Sequence, residues 1–142
     1  MRYIAYLAAL LGGAALSLEG AIYGELGKTI GKLETSFYNF FVGSIILAVL
    51  WLFFGKGRLS YTLEAPKWKL LGGVLGVVYL TTIVISVPFV GVGITMVAVI
   101  IGQLAMSIII EHYGWLGSQV AKINKEKILA VISMIIALVL VY

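Results

Sequence analysis

"VPFVGVG" (residues 87–93) lies between two apolar runs, and its reading decides how many helices the chain is given. Pro88 withholds the N–H that a continuing helix needs. Gly91 and Gly93 admit backbone angles that other residues avoid. The stretch therefore reads as a tight break between one helix over 68–87 and another over 93–110. Working outward, three more apolar runs stand out, at 3–24, 37–54 and 126–142. Most reach the ~17–25 residues that cross ~30 Å of hydrocarbon as helix. The last is short unless its helix begins near Asn124. Strands are not expected, because no run alternates in polarity and a barrel needs more of them.

Composition agrees. The 142 residues are 62% hydrophobic and only 11% charged, with a mean hydropathy of +1.12. A soluble domain is about half apolar and a quarter charged. No loop (27–35, 55–67, 88–93 or 113–127) is long enough for a soluble domain. The expectation is an all-α membrane protein, a single domain over 1–142 with five transmembrane helices. The first run has features of a signal peptide: Arg2, an apolar stretch, then Ala14 and Ala15. It continues past Ser17 to Ile22, however, beyond the 7–15 residues of a signal core.

Several classes of chemistry drop out. Cysteine is absent, which removes disulfides and thiolate metal sites. His112 alone cannot hold a metal, which needs three or four ligands. No nucleophile–base set suggests an enzyme, and nothing calls for a cofactor. The net charge of +4 does not point to nucleic acid, because the basic residues sit in short loops.

Those residues set an orientation. Arg2, Lys56, Arg58, Lys67, Lys69, Lys122, Lys125 and Lys127 fall on one side, and Lys28 and Lys32 on the other. Eight against two places the N-terminus in the cytoplasm and the C-terminus outside. Tyr3, Trp51, Trp68, Tyr113 and Trp115 then lie near cytoplasmic helix ends, where amphipathic rings prefer the interface.

Orientation also gives depth. Glu19 is a carboxylate within an uncharged run, and ionisable groups inside a membrane usually mark function. It shares a face with Tyr23, four residues on. Both lie in the outer half of the first helix. Asn39, Ser44, Thr81, Thr82, Ser86 and Thr95 reach comparable depth from three other helices. The expectation is a shared polar cavity, with Glu19 as its proton or cation site. The bland alternative is a protonated Glu19 hydrogen-bonded in a helix contact. Gln103, Ser107 and Glu111 form a second stripe, four residues apart. Glu111 reads as a solvated end charge or a partner for Lys122, and Glu25 can pair with Lys28 at i, i+3. Gly20/Gly24, Gly27/Gly31 and Gly72/Gly76 are spaced for close helix packing.

"NFFVGS" (39–44), "PKWKLLGGVLG" (66–76), "VPFVG" (87–91) and "GQLAMSIIIEHYGWLG" (102–117) resemble the YdcZ-like family of bacterial inner-membrane proteins. That family lies in the drug/metabolite transporter superfamily. The resemblance covers most of the chain and implies a small transporter subunit that pairs with an inverted copy. By position, Asn39, Gln103, Ser107 and Glu111 match the pattern, with Glu111 where aspartate is usual. Glu19 and Tyr23 depart from it, standing where relatives tend to carry Gln and then Asn. A glutamate in the first helix is similar to that of the small multidrug resistance exporters, an analogy only.

Pairing has an independent argument. Many transporters place their site between inverted repeats, and this chain shows no internal repeat. The second half must then come from another chain. The eight-to-two charge bias favours an oppositely oriented, homologous five-helix subunit over a homodimer. The expected function is that of an antiparallel exporter moving a small organic, cationic or lipophilic solute. Glu19 would couple it to protons. Tyr23, Asn39, Ser44, Thr81, Thr82, Gln103 and Ser107 would line the path. Gly20, Gly24, Gly72 and Gly76 would serve helix packing. The alternative is a non-transporting scaffold that stabilises a partner membrane protein. A channel is disfavoured, because no helix carries a long polar face.

Overall fold

A computed structural model describes residues 2–121 and 124–141. Among these, the chain is helical without strands. Helix α1 spans Arg2–Ile30 and α2 spans Lys32–Phe54. A single short turn, α3 (Tyr61–Glu64), and a 3-10 turn (Lys67–Leu70) lead into α4 (Leu71–Tyr113). A second 3-10 turn (Trp115–Gly117) precedes α5 (Lys125–Val141). Among the described residues, three stretches are long and apolar enough to cross a membrane: Tyr3–Ile30, Lys32–Phe54 and Lys67–Tyr113. At 17 residues, α5 stays as short as the sequence suggested.

Two expectations about the elements change. The five expected spans are not five separate elements: 71–87 and 93–110 fall within α4 with no loop between them, interrupted only at Gly91, and 68–70 lies in the preceding 3-10 turn. Only Gly91 leaves helical geometry in "PFVGVG", and Pro88 stays inside the helix. The expected loop over 27–35 is likewise a single residue, Gly31. Helix α1 continues to Ile30 because its end is well supported. Lys28 pairs with Glu25 at 2.6 Å and places a cation in the last turn, where the helix dipole favours one. Helix α2 starts at once, with Glu34 in its first turn, where an anion is favoured.

The chain divides into two units, Met1–Phe89 and Val90–Tyr142. In the first, the core is formed by Leu80, Ile83, Val84 and Val87 of α4 with the buried Gly20, Gly24, Gly27, Thr35 and Ser36. A Cβ on Gly27 would stand 2.8 Å from Val84 Cγ1, and one on Gly24 would stand 2.9 Å from Val87 Cβ. In lipid, burying apolar carbon gains little, so association rests on close packing, which small residues permit. Ser36 meets Thr81. One turn later on α2, the Phe40 ring faces Gly76, one turn earlier on α4. These segments therefore run antiparallel. The opposite end of α1 is bare: Tyr3, Ile4, Tyr6, Leu7, Leu10 and Leu11 are all exposed.

In the second unit, Thr95 and Met96 are buried. The end of α4 is capped by the following loop. The Ser118 hydroxyl donates to the Ile110 carbonyl at 3.1 Å, and the Ala121 N–H to the Glu111 carbonyl at 3.0 Å. These bonds satisfy carbonyls that a helix end leaves open. Asn124 opens α5, its side-chain oxygen accepting the Glu126 N–H at 3.3 Å, the usual service of an N-cap asparagine.

Candidate functional site

Helix α1 carries Glu19 and Tyr23 one turn apart, both half-buried, beside the buried Gly20 and Gly24. The Tyr23 phenol stands within electrostatic reach of Glu19 and of Tyr38 on α2. Asn39, the next residue of α2, is half-buried. The packing of α1 on α2 thus brings the exposed Tyr38 within electrostatic reach of Tyr23. Sequence reasoning missed it. Its signal was adjacency to Asn39, at the level assigned to Glu19.

A second polar group joins α2 to α4. The Thr81 hydroxyl donates to the Ser36 hydroxyl at 3.1 Å, and Ser36 donates to the Lys32 carbonyl at 3.1 Å. Ser36 was also missed, since a serine near a presumed loop looks like a solvated one. Other expected path residues spend their protons locally. Ser44 donates to the Phe41 carbonyl at 2.7 Å, and Thr82 to the Val78 carbonyl at 2.7 Å. Ser86 bonds the Thr82 carbonyl at 2.8 Å. Both Ser44 and Thr82 are exposed. Each of these hydroxyls keeps acceptor lone pairs and has no spare proton. No hydrogen bond reaches the Glu19 carboxylate among the described residues. Of the expected packing glycines, Gly76 meets Phe40, whereas Gly72 is exposed with open space where a Cβ would stand.

The second unit holds Gln103 and Ser107. Gln103 is exposed, and Ser107 is half-buried and donates to the Leu104 carbonyl at 3.0 Å. Thr95 donates to the Gly91 carbonyl at 2.7 Å. Glu111 is ion-paired with Lys127 of α5. The Lys122 considered as its partner lies outside the described residues. His112 packs edge-on to Tyr113, with ring centroids 5.0 Å apart. Across from α5, Gly93, Ile94 and Val97 face Ala137, Leu138 and Val141 over a cavity of about 320 Å3, walled by carbon.

The chain matches, over residues 4–140, the family described as "Putative inner membrane exporter, YdcZ". It belongs to the YdcZ family. The resemblance drawn from its motifs is thereby supported along nearly the whole chain. No curated protein and no solved structure matches it. As a YdcZ protein it is a multi-pass protein of the inner membrane, in a family of exporters and not of enzymes.

Proposed function

We propose that this YdcZ protein is one half of a proton-coupled exporter of small organic cations or lipophilic solutes, working as an antiparallel dimer. The observation that carries this reading is Glu19. It is a half-buried carboxylate in an apolar helix, one turn from Tyr23 and within its electrostatic reach, with no hydrogen bond spent on it among the described residues. A carboxyl not committed to a structural bond can take up a proton or a cation, whereas one locked in a helix contact cannot do so freely. Tyr23, Asn39, Ser44, Thr81, Thr82, Gln103 and Ser107 complete the path.

The chain crosses the bilayer five times in this reading. At 1.5 Å per residue, the 43 residues of α4 would extend about 65 Å as one rod. That is about twice the ~30 Å of hydrocarbon. The break at Gly91 leaves 71–90 and 92–113, each about 20 residues and each one crossing long. With the N-terminus inside, the basic loops lie in the cytoplasm. The eight-to-two charge bias fixes insertion, so the partner is an oppositely oriented, homologous subunit rather than a second copy.

The test is flux. The protein and its partner, reconstituted in vesicles, take up or release organic cations against an imposed proton gradient. Glu19→Gln abolishes coupling. Coupled flux at the wild-type rate in that variant would refute the role of Glu19. Tags at both termini report topology, and mixed insertion would restore the homodimer.

A further inference from the structure

The second unit contains a fastening that the transport reading does not use. Glu111 sits in the last turn of α4, and Lys127 in the first turn of α5. Each charge is at the end where its own helix opposes it. A carboxylate faces the negative end of α4, and an ammonium faces the positive end of α5. Both side chains are only partly exposed, at 37% for Glu111 and 41% for Lys127. The ion pair between them is accompanied by two bonds from the intervening loop, Ser118 to Ile110 and Ala121 to Glu111. An apolar cavity lies toward the other end of the same two helices. There Gly93, Ile94 and Val97 stand apart from Ala137, Leu138 and Val141 across the apolar cavity.

We propose that Glu111 and Lys127 form a clasp that holds the α4–α5 hairpin shut at its loop end, so that the hairpin opens only at its glycine end. The clasp depends on mutual need. Remove one charge and the other is left against a helix end that repels it. Remove both and neither penalty remains. Exchange them and each helix end gains the charge it favours, with the pair intact. An ordinary surface pair has no such signature, because its exchange restores at best what was lost.

The chain has no cysteine, so spin labels can be placed without background. Labels at exposed His112 and Leu129 report the loop end, in full-length protein in lipid nanodiscs. The wild-type background gives a narrow distance distribution. Glu111→Gln or Lys127→Gln broadens it, and speeds amide exchange at Ala121 by about five-fold, as the loss of a partly buried pair and its dipole compensation implies. The double variant E111Q/K127Q is less perturbed than either single. The exchanged variant E111K/K127E is as narrow as wild type, with Ala121 exchange slower than in wild type, because each helix end now carries the charge it favours. Labels at Ala98 and Leu140, at the other end, give a broad distribution in every variant. Single variants that leave the loop end narrow would overturn the clasp. So would an exchanged variant as broad as the singles. Thermal unfolding of each labelled variant shows that it is folded before distances are read.

Discussion

Gly31 and Gly91 make the same break in two places. Their backbones are alike, at φ 102°, ψ 151° and φ 83°, ψ 164°, a region essentially restricted to glycine. Each ends one helical run and begins another with a single residue. Each is followed four positions later by a buried threonine whose hydroxyl donates to the glycine carbonyl, Thr35 at 2.8 Å and Thr95 at 2.7 Å. What differs is the space around them. The Glu34 carboxylate occupies the place where a Cβ on Gly31 would stand, whereas a Cβ on Gly91 would meet nothing within 4 Å. The backbone sets both turns, and side chains crowd only one of them.

The largest expected effect comes from the backbone the two share, with a smaller one from that difference. Gly31→Ala forces a Cβ both into a left-handed backbone and into the Glu34 carboxylate. Strain of this kind costs about 1–3 kcal/mol, and moving the exposed carboxylate adds little to it. Gly91→Ala incurs the strain alone. Because the Glu34 carboxylate is the free end of an exposed side chain, thermal unfolding in detergent should place both variants well below wild type, with Gly31→Ala slightly below Gly91→Ala. In a Glu34→Ala background the gap should close. A gap that persists there would mean that something other than Glu34 distinguishes the two breaks.

These two glycines also show how much the sequence disclosed. Apolar run lengths alone gave an all-helical membrane protein, and the motifs gave the family. The place of the second break was legible too, in "PFVGVG". Its form was not, because Pro88 suggests an end to a helix that in fact continues to Val90. Proline costs a helix one hydrogen bond, and neighbouring packing can absorb that in an apolar segment. The first break was read as a loop over 27–35, since lysine, glutamate and threonine there look solvated. Instead Thr35 and Ser36 turn inward against α4. Sequence cannot assign a sign to a glycine's φ, or tell which polar residues of a helix start face a neighbour. For the candidate site, Glu19 and Tyr23 were legible as an anomaly within an apolar run. Tyr38 and Ser36 were not, because only the packing of α2 on α1 and α4 gives them their neighbours.

A middle-sized effect tests the shared threonine. Thr35→Val and Thr95→Val each remove one hydroxyl bond to the break glycine while nearly preserving shape. A typical intramolecular hydrogen bond contributes about 1 kcal/mol net. The Gly31 carbonyl still accepts the Thr35 N–H at 3.1 Å, so it is not orphaned. The two variants should therefore lose similar, modest stability in the same unfolding assay. A much larger loss at Thr35 would mean that its hydroxyl also supports the adjoining Ser36–Thr81 bond, and that the likeness of the two turns ends at the backbone.

The smallest effect decides whether charge or packing orders the Gly31 turn. Glu25 and Lys28 are paired at 2.6 Å with side chains 74% and 51% exposed. Lys32 lies over the Phe89 ring at 4.8 Å, and Glu34 folds back over the glycine. Among the described residues no ion pair lies beside Gly91. If these charges held the turn, Glu25→Gln would loosen it. An exposed i, i+3 pair contributes only about 0.3–0.5 kcal/mol, and salt screens what there is. The buried side of the turn, by contrast, packs Gly24 and Gly27 against Val87 and Val84 with no room for a methyl group. Glu25→Gln should therefore leave the unfolding midpoint nearly unchanged at 0.15 M salt. A clear drop that disappears in 1 M salt would assign the turn to its charges, and Gly31 and Gly91 would then differ in what holds them as well as in what surrounds them.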